Sequence, residues 1–271
     1  MSVSSSQSPD SWGGRLLLPH EHGAYGQLLF PLATALGVGT PAWPASGLAL
    51  ACILAFVGYE PLLVLLGRRG AHARRANGPR ARYQLAGTTA LLVAIGIWSV
   101  WAIDATTRAA LAIPLTLGAC QALLVGLRVE RSVLGEVAAA VTLSSCALPV
   151  ALAGGAGLRV ALTCWLVFAS GLTVATLAVR SVIGRVRGTD SPWLASAARV
   201  TAFLVVGTAG WLILRGWLPL AALIALIPGV SFALGLTFVA PHPRHLRRIG
   251  WTLLASSFFC AIVLAFSLRG S

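Results

Sequence analysis

The side chains best equipped for chemistry form a short polar run near the start, Leu18-Pro19-His20-Glu21-His22-Gly23-Ala24-Tyr25-Gly26-Gln27. Here His20, Glu21, His22 and Tyr25 place two imidazoles, a carboxylate and a phenol together, groups that hold or move protons near neutral pH. They can line the mouth of a cavity, with Gly23 and Gly26 admitting a ligand or a neighbouring helix. They can equally form an interfacial cap that faces lipid headgroups. No third and fourth ligand accompanies the two histidines, so a metal centre is not expected.

Two further carboxylates, Glu60 and Glu136, lie within apolar runs. An ionisable group at that depth is costly and marks either a functional position or a structural ion pair. Arg68 or Arg69 is placed to pair with Glu60, and Arg128 or Arg131 to pair with Glu136. Farther on, Thr173, Thr176, Arg180, Gly184 and Arg187 share one face if their helix continues past the membrane. With Arg185, that face offers guanidinium groups and hydroxyls to a phosphate or carboxylate, or it serves as a solvated anchor. Ser144, Ser145 and Cys146 have no neighbouring base to activate a nucleophile.

The elements that must position these groups follow from composition. Hydrophobic residues make up 57% of the chain, charged residues only 10%, and mean hydropathy is +0.85, which excludes an ordinary soluble domain. The apolar residues gather into runs of about 20, the length of helix needed to cross a hydrocarbon core of about 30 Å. Nine transmembrane helices are expected, over 23–40, 44–67, 83–103, 108–127, 133–155, 159–180, 194–215, 217–240 and 249–269. The runs are too long and uniform for barrel strands, and a helix satisfies its own backbone in lipid. The first span is short and holds Pro31, and Pro61 can kink the second. Residues 1–20 form a polar segment without the apolar core of a signal peptide, and 21–271 form one transmembrane domain. The connections expected to exceed ten residues are 68–82 and 181–193, and the five cysteines read as small buried hydrophobes.

The 20 basic residues are all Arg and the net charge is +13, but the arginines cluster in loops at helix ends and no nucleic-acid motif accompanies them. Loops after the second, fourth, sixth and eighth spans carry most of them. The positive-inside rule therefore puts those loops and the N-terminus in the cytoplasm and the C-terminus outside. Trp98, Trp101, Trp211 and Trp217 fall at the opposite ends, as an interfacial aromatic belt would place them.

The motif Pro19-His20-Glu21-His22-Gly23-Ala24-Tyr25, with Glu60-Pro61-Leu62, Glu130-Arg131-Ser132 through Gly135-Glu136, and Val179-Arg180, resembles the YwiC-like bacterial membrane proteins. That resemblance implies a multi-pass protein of the bacterial cytoplasmic (inner) membrane and no defined reaction. Nine spans with emphasised cytoplasmic loops after helices two and six are also similar to UbiA-type intramembrane prenyltransferases. Those enzymes hold magnesium and a prenyl diphosphate on Asp-rich loops. The corresponding regions here carry Glu60, Arg68 and Arg69, then Arg180, Arg185 and Arg187, with no Asn-Asp-x-x-Asp. Any transferase built on this chain lacks the usual magnesium motifs, and no cofactor is expected. Three readings follow: a cytoplasm-facing, arginine-lined cavity for an anionic amphipathic ligand of isoprenoid or lipid phosphate type, a small-molecule or ion transporter using Glu60 and Glu136, and a non-catalytic membrane scaffold.

Overall fold

The structure is a computed structural model describing residues 16–18, 22–189, 192–239 and 245–269. Its helices are α1 (His22–Val38), α2 (Trp43–Leu65), α3 (Ala71–Ala102), α4 (Ala105–Ala110), α5 (Ala112–Gly126), α6 (Val133–Ser145), α7 (Ala147–Ala153), α8 (Leu158–Val186), α9 (Pro192–Leu214), α10 (Leu220–Phe238) and α11 (Leu246–Leu268). Leu111 joins α4 to α5 and Cys146 joins α6 to α7, so each pair forms one rod. Among the described residues, eight rods are long and apolar enough to cross a membrane. The shorter apolar helix Gly23–Val38 is the ninth, and every expected span has its counterpart.

Local chemistry sets the helix boundaries. The Ser132 side chain accepts from the Gly135 amide at 3.1 Å and caps α6, and Asp104 accepts from the amides of Thr106 and Thr107 at 3.1 and 3.3 Å and caps α4. Hydroxyl and amide donors from those two threonines, Thr107 first, hold the Asp104 carboxyl below its ordinary value. Helix α2 ends in paired bonds from Gly67 to Val64 and from Arg68 to Leu63, with Gly67 in the left-handed conformation at φ 73°. The same closure ends α5, with bonds from Arg128 to Val125 and from Val129 to Leu124, but there the left-handed residue is Arg128, at φ 62°.

One expectation is corrected. Residues 68–82 are not a long loop, because α3 begins at Ala71 and runs unbroken to Ala102 with Pro79 inside it. Alanine and arginine are strong helix formers, and their preference carries the helix through the proline on an exposed stretch. Likewise α8 extends to Val186, which shortens the 181–193 connection and puts Thr173, Thr176, Arg180 and Gly184 on one continuous helix.

Helix α8 is the centre of the bundle, packing on α6, α7, α9 and α10, with half of its span buried. Helix α1 sits against α11, α6, α7 and α8. Leu28, Leu148, Val150, Val174, Val182 and Leu264 are fully buried at this core. By contrast α3 packs on α2 and only 6% of its span is buried, so lipid must cover the remainder. Small residues bring that pair together, and a Cβ on Gly47 would lie 2.2 Å from the Ser99 hydroxyl. At one end of the bundle Trp43 packs on Trp98 at 4.8 Å, and the guanidinium groups of Arg159 and Arg215 lie over Trp217 and Trp211.

Candidate functional site

At the other end the candidate polar groups gather, most of them already occupied. Glu60, one turn before the end of α2, is only 3% exposed. The closing turn after α2 reverses the chain, so that Arg69 folds back and grips Glu60 with both forks, Nε to Oε1 at 2.8 Å and Nη2 to Oε2 at 2.6 Å. A planar guanidinium matches a carboxylate in this way, and burial raises the cost of losing either partner. Arg68 next to it donates through Nη2 to the Gly126 carbonyl at 2.7 Å, the last residue of α5.

The Glu136 carboxylate pairs with Arg180 of α8 through Nε and Nη2, and Arg180 Nη2 also donates to the Arg131 carbonyl. This corrects the expected pairing with Arg128 or Arg131. Arg128 is fixed in the left-handed closing position of α5 with its side chain exposed, and Arg131 precedes the α6 cap with its side chain outward. Each is held by the turn in which it sits. Arg180 meets Glu136 because α6 and α8 pack side by side. The loop must come close for this to happen: a Cβ on Gly135 would stand 2.4 Å from the Val129 carbonyl oxygen.

A third clasp closes α10. Arg185 Nη1 and Nη2 donate to the carbonyls of Thr237 and Leu236 in its last turn. Carbonyls at a helix C-terminus lack intrahelical donors, so Arg68 and Arg185 supply the missing bonds across helices and add favourable charge. Arg187 follows α8 as its exposed C-terminal cap.

Three open arginines lie where sequence reasoning had placed only a loop. Arg74, Arg75 and Arg82 are exposed on α3 and make no hydrogen bond or ion pair with the described residues. Arg74 and Arg75, with Gly67 and Ala71, line a hollow of about 560 Å³ beside the α2–α3 turn. A larger groove of about 740 Å³ begins at Leu65 and Arg82 and follows α3 to Ala94, with an almost wholly apolar lining. The signal that could have found them was the seven-residue spacing of Arg75 and Arg82, which puts both on one helical face once Pro79 is read as helical.

Of the initial polar run, His20 and Glu21 lie outside the described residues, as does the side chain of His22. Tyr25 packs edge-on against Phe56 at 5.1 Å, beside the α2 carboxylate end. Ahead of it Leu17 and Gln84 exchange two hydrogen bonds, of 2.8 and 2.9 Å, which dock Leu17 on α3. Among the described residues no group of three or more His, Cys, Asp or Glu side chains is arranged to hold a metal.

No curated protein and no solved structure matches the chain. A family profile described as YwiC-like protein matches residues 18–152 and so spans α1 to α7, with the Glu60 and Glu136 carboxylates inside the match. With its run of apolar helices, the chain is a multi-pass integral membrane protein, and its residues 18–152 match the YwiC-like protein family.

Proposed function

We propose that this protein binds an anionic amphipathic molecule of the isoprenoid or lipid phosphate type at its arginine-rich end, which faces the cytoplasm of a bacterial cell. The observation that carries the reading is the set of three uncommitted guanidinium groups, Arg74, Arg75 and Arg82, beside a basic hollow that opens next to an apolar groove. Guanidinium is the side chain best matched to phosphate oxygens. Arg68 and Arg69 take a supporting part in the turn beside the hollow, Arg180 and Arg185 hold the ends of other helices, and Arg128, Arg131 and Arg187 add exposed positive charge. His20, Glu21, His22 and Tyr25 are further candidates for contact with the ligand.

A thermal-shift titration of the purified protein with a prenyl diphosphate, in magnesium and in chelator, tests this. A ligand at 100 times its dissociation constant stabilises by about 2.7 kcal/mol. Stabilisation that survives chelator and disappears in the Arg74→Gln/Arg75→Gln variant is the expected result. An unchanged melting temperature at every concentration, or a shift that the variant retains, contradicts the proposal.

A further inference from the structure

Resting on that reading, we infer that the ligand is a phosphate-headed lipid taken sideways from the bilayer, its head on Arg74, Arg75 and Arg82 and one hydrocarbon chain along the α2–α3 groove.

Helical register aligns the parts. Arg75, Arg82, Ala86, Thr89 and Val93 recur at spacings of seven, four, three and four along α3, which keeps them on one face. Positive charge occupies the first turns of that face and the apolar groove the remainder. A molecule lying along it meets guanidinium at one end and only hydrocarbon, with the Thr89 hydroxyl, at the other.

Length fits as well. From Arg82 to Ala94 the groove extends twelve helical steps, about 18 Å at 1.5 Å per residue. One leaflet of hydrocarbon is about 15 Å deep, half of a core of about 30 Å. A lipid whose phosphate sits at the arginines therefore lays its chain in the groove without leaving its own leaflet. With 6% of its span buried, α3 presents this face directly to the membrane, so entry requires no passage through water. A soluble phosphate would use the basic hollow and leave the groove empty.

Native mass spectrometry of the detergent-purified protein, offered phosphatidic acid or phosphatidylcholine with the same chains, tests the inference. Three proteins are compared: the parent, Ala90→Phe, which fills the groove, and Leu91→Phe, which adds the same ring to α3 outside it. Pyrophosphate-induced thermal stabilisation is measured on each in parallel. The parent and Leu91→Phe are expected to retain phosphatidic acid over phosphatidylcholine by about tenfold or more, which corresponds to about 1.4 kcal/mol. Ala90→Phe is expected to lose that preference and keep its response to pyrophosphate. If Ala90→Phe holds phosphatidic acid as the parent does, or the parent holds both lipids equally, the lipid inference is wrong while the pyrophosphate response still supports anion binding. Absence of any pyrophosphate response in the parent overturns the underlying reading instead.

Discussion

Two sets of arginines share one end of this molecule and differ in what their helices leave them to do. Arg68, Arg69, Arg180 and Arg185 project from α2, its closing turn, or α8, where carboxylates and terminal carbonyls are within reach, and each is bonded to one. Arg74, Arg75 and Arg82 ride on α3, which packs on α2 and turns its remaining circumference outward. Side-chain chemistry is the same in both sets. Depth and neighbours decide whether a guanidinium closes the bundle or remains open to an anion. A scan for arginines alone would merge the two.

Substitutions separate them, and the deepest clasp shows the largest effect. Arg69→Ala removes the guanidinium fork from the Glu60 carboxylate, 3% exposed, and lowers stability by about 3–5 kcal/mol. The Glu60→Gln/Arg69→Gln pair recovers much of that loss in the same thermal melt. A single variant that melts like the parent would place Arg69 with the open set.

Backbone closeness comes next. Gly135→Ala drives a methyl to 2.4 Å from the Val129 oxygen, a backbone contact relieved only if the loop or the start of α6 shifts. We expect a loss of about 1–3 kcal/mol, read as a lower denaturation midpoint. Arg128→Gly has the opposite sign, since glycine adopts the left-handed closing position of α5 without a Cβ penalty. It should raise stability by about 1 kcal/mol. The smallest change belongs to the shallower clasp: Glu136 is 42% exposed, so Glu136→Gln costs less than about 1 kcal/mol, and less again in high salt. A loss as large as that of Arg69→Ala would erase the distinction between deep and shallow clasps.

Much of this architecture was legible in the sequence. Hydropathy runs marked nine spans because lipid requires a continuous apolar stretch for each crossing, and Trp98, Trp101, Trp211 and Trp217 marked the end opposite most of the arginines. A pairing of Glu60 with Arg68 or Arg69 was legible because all three lie close together in the chain at the end of α2, and the closing turn decides for Arg69. Partners on different helices were not: nothing local in the chain says that Arg180 of α8 meets Glu136 of α6, since that contact depends on helix packing. Pro79 concealed the start of α3, because a proline normally argues against helix and here sits in an exposed stretch of strong formers. With that start hidden, Arg74, Arg75 and Arg82 read as loop charge instead of one face of a helix.

The division between the two sets is tested most directly by melting Arg75→Gln/Arg82→Gln and Arg185→Gln with and without a prenyl diphosphate. The α3 variant should melt within about 0.5 kcal/mol of the parent and gain nothing from the ligand. Arg185→Gln, deprived of its bonds to the α10 carbonyls, should melt lower and still be stabilised. Retention of the ligand response by the α3 variant, with its loss in Arg185→Gln, would contradict the account.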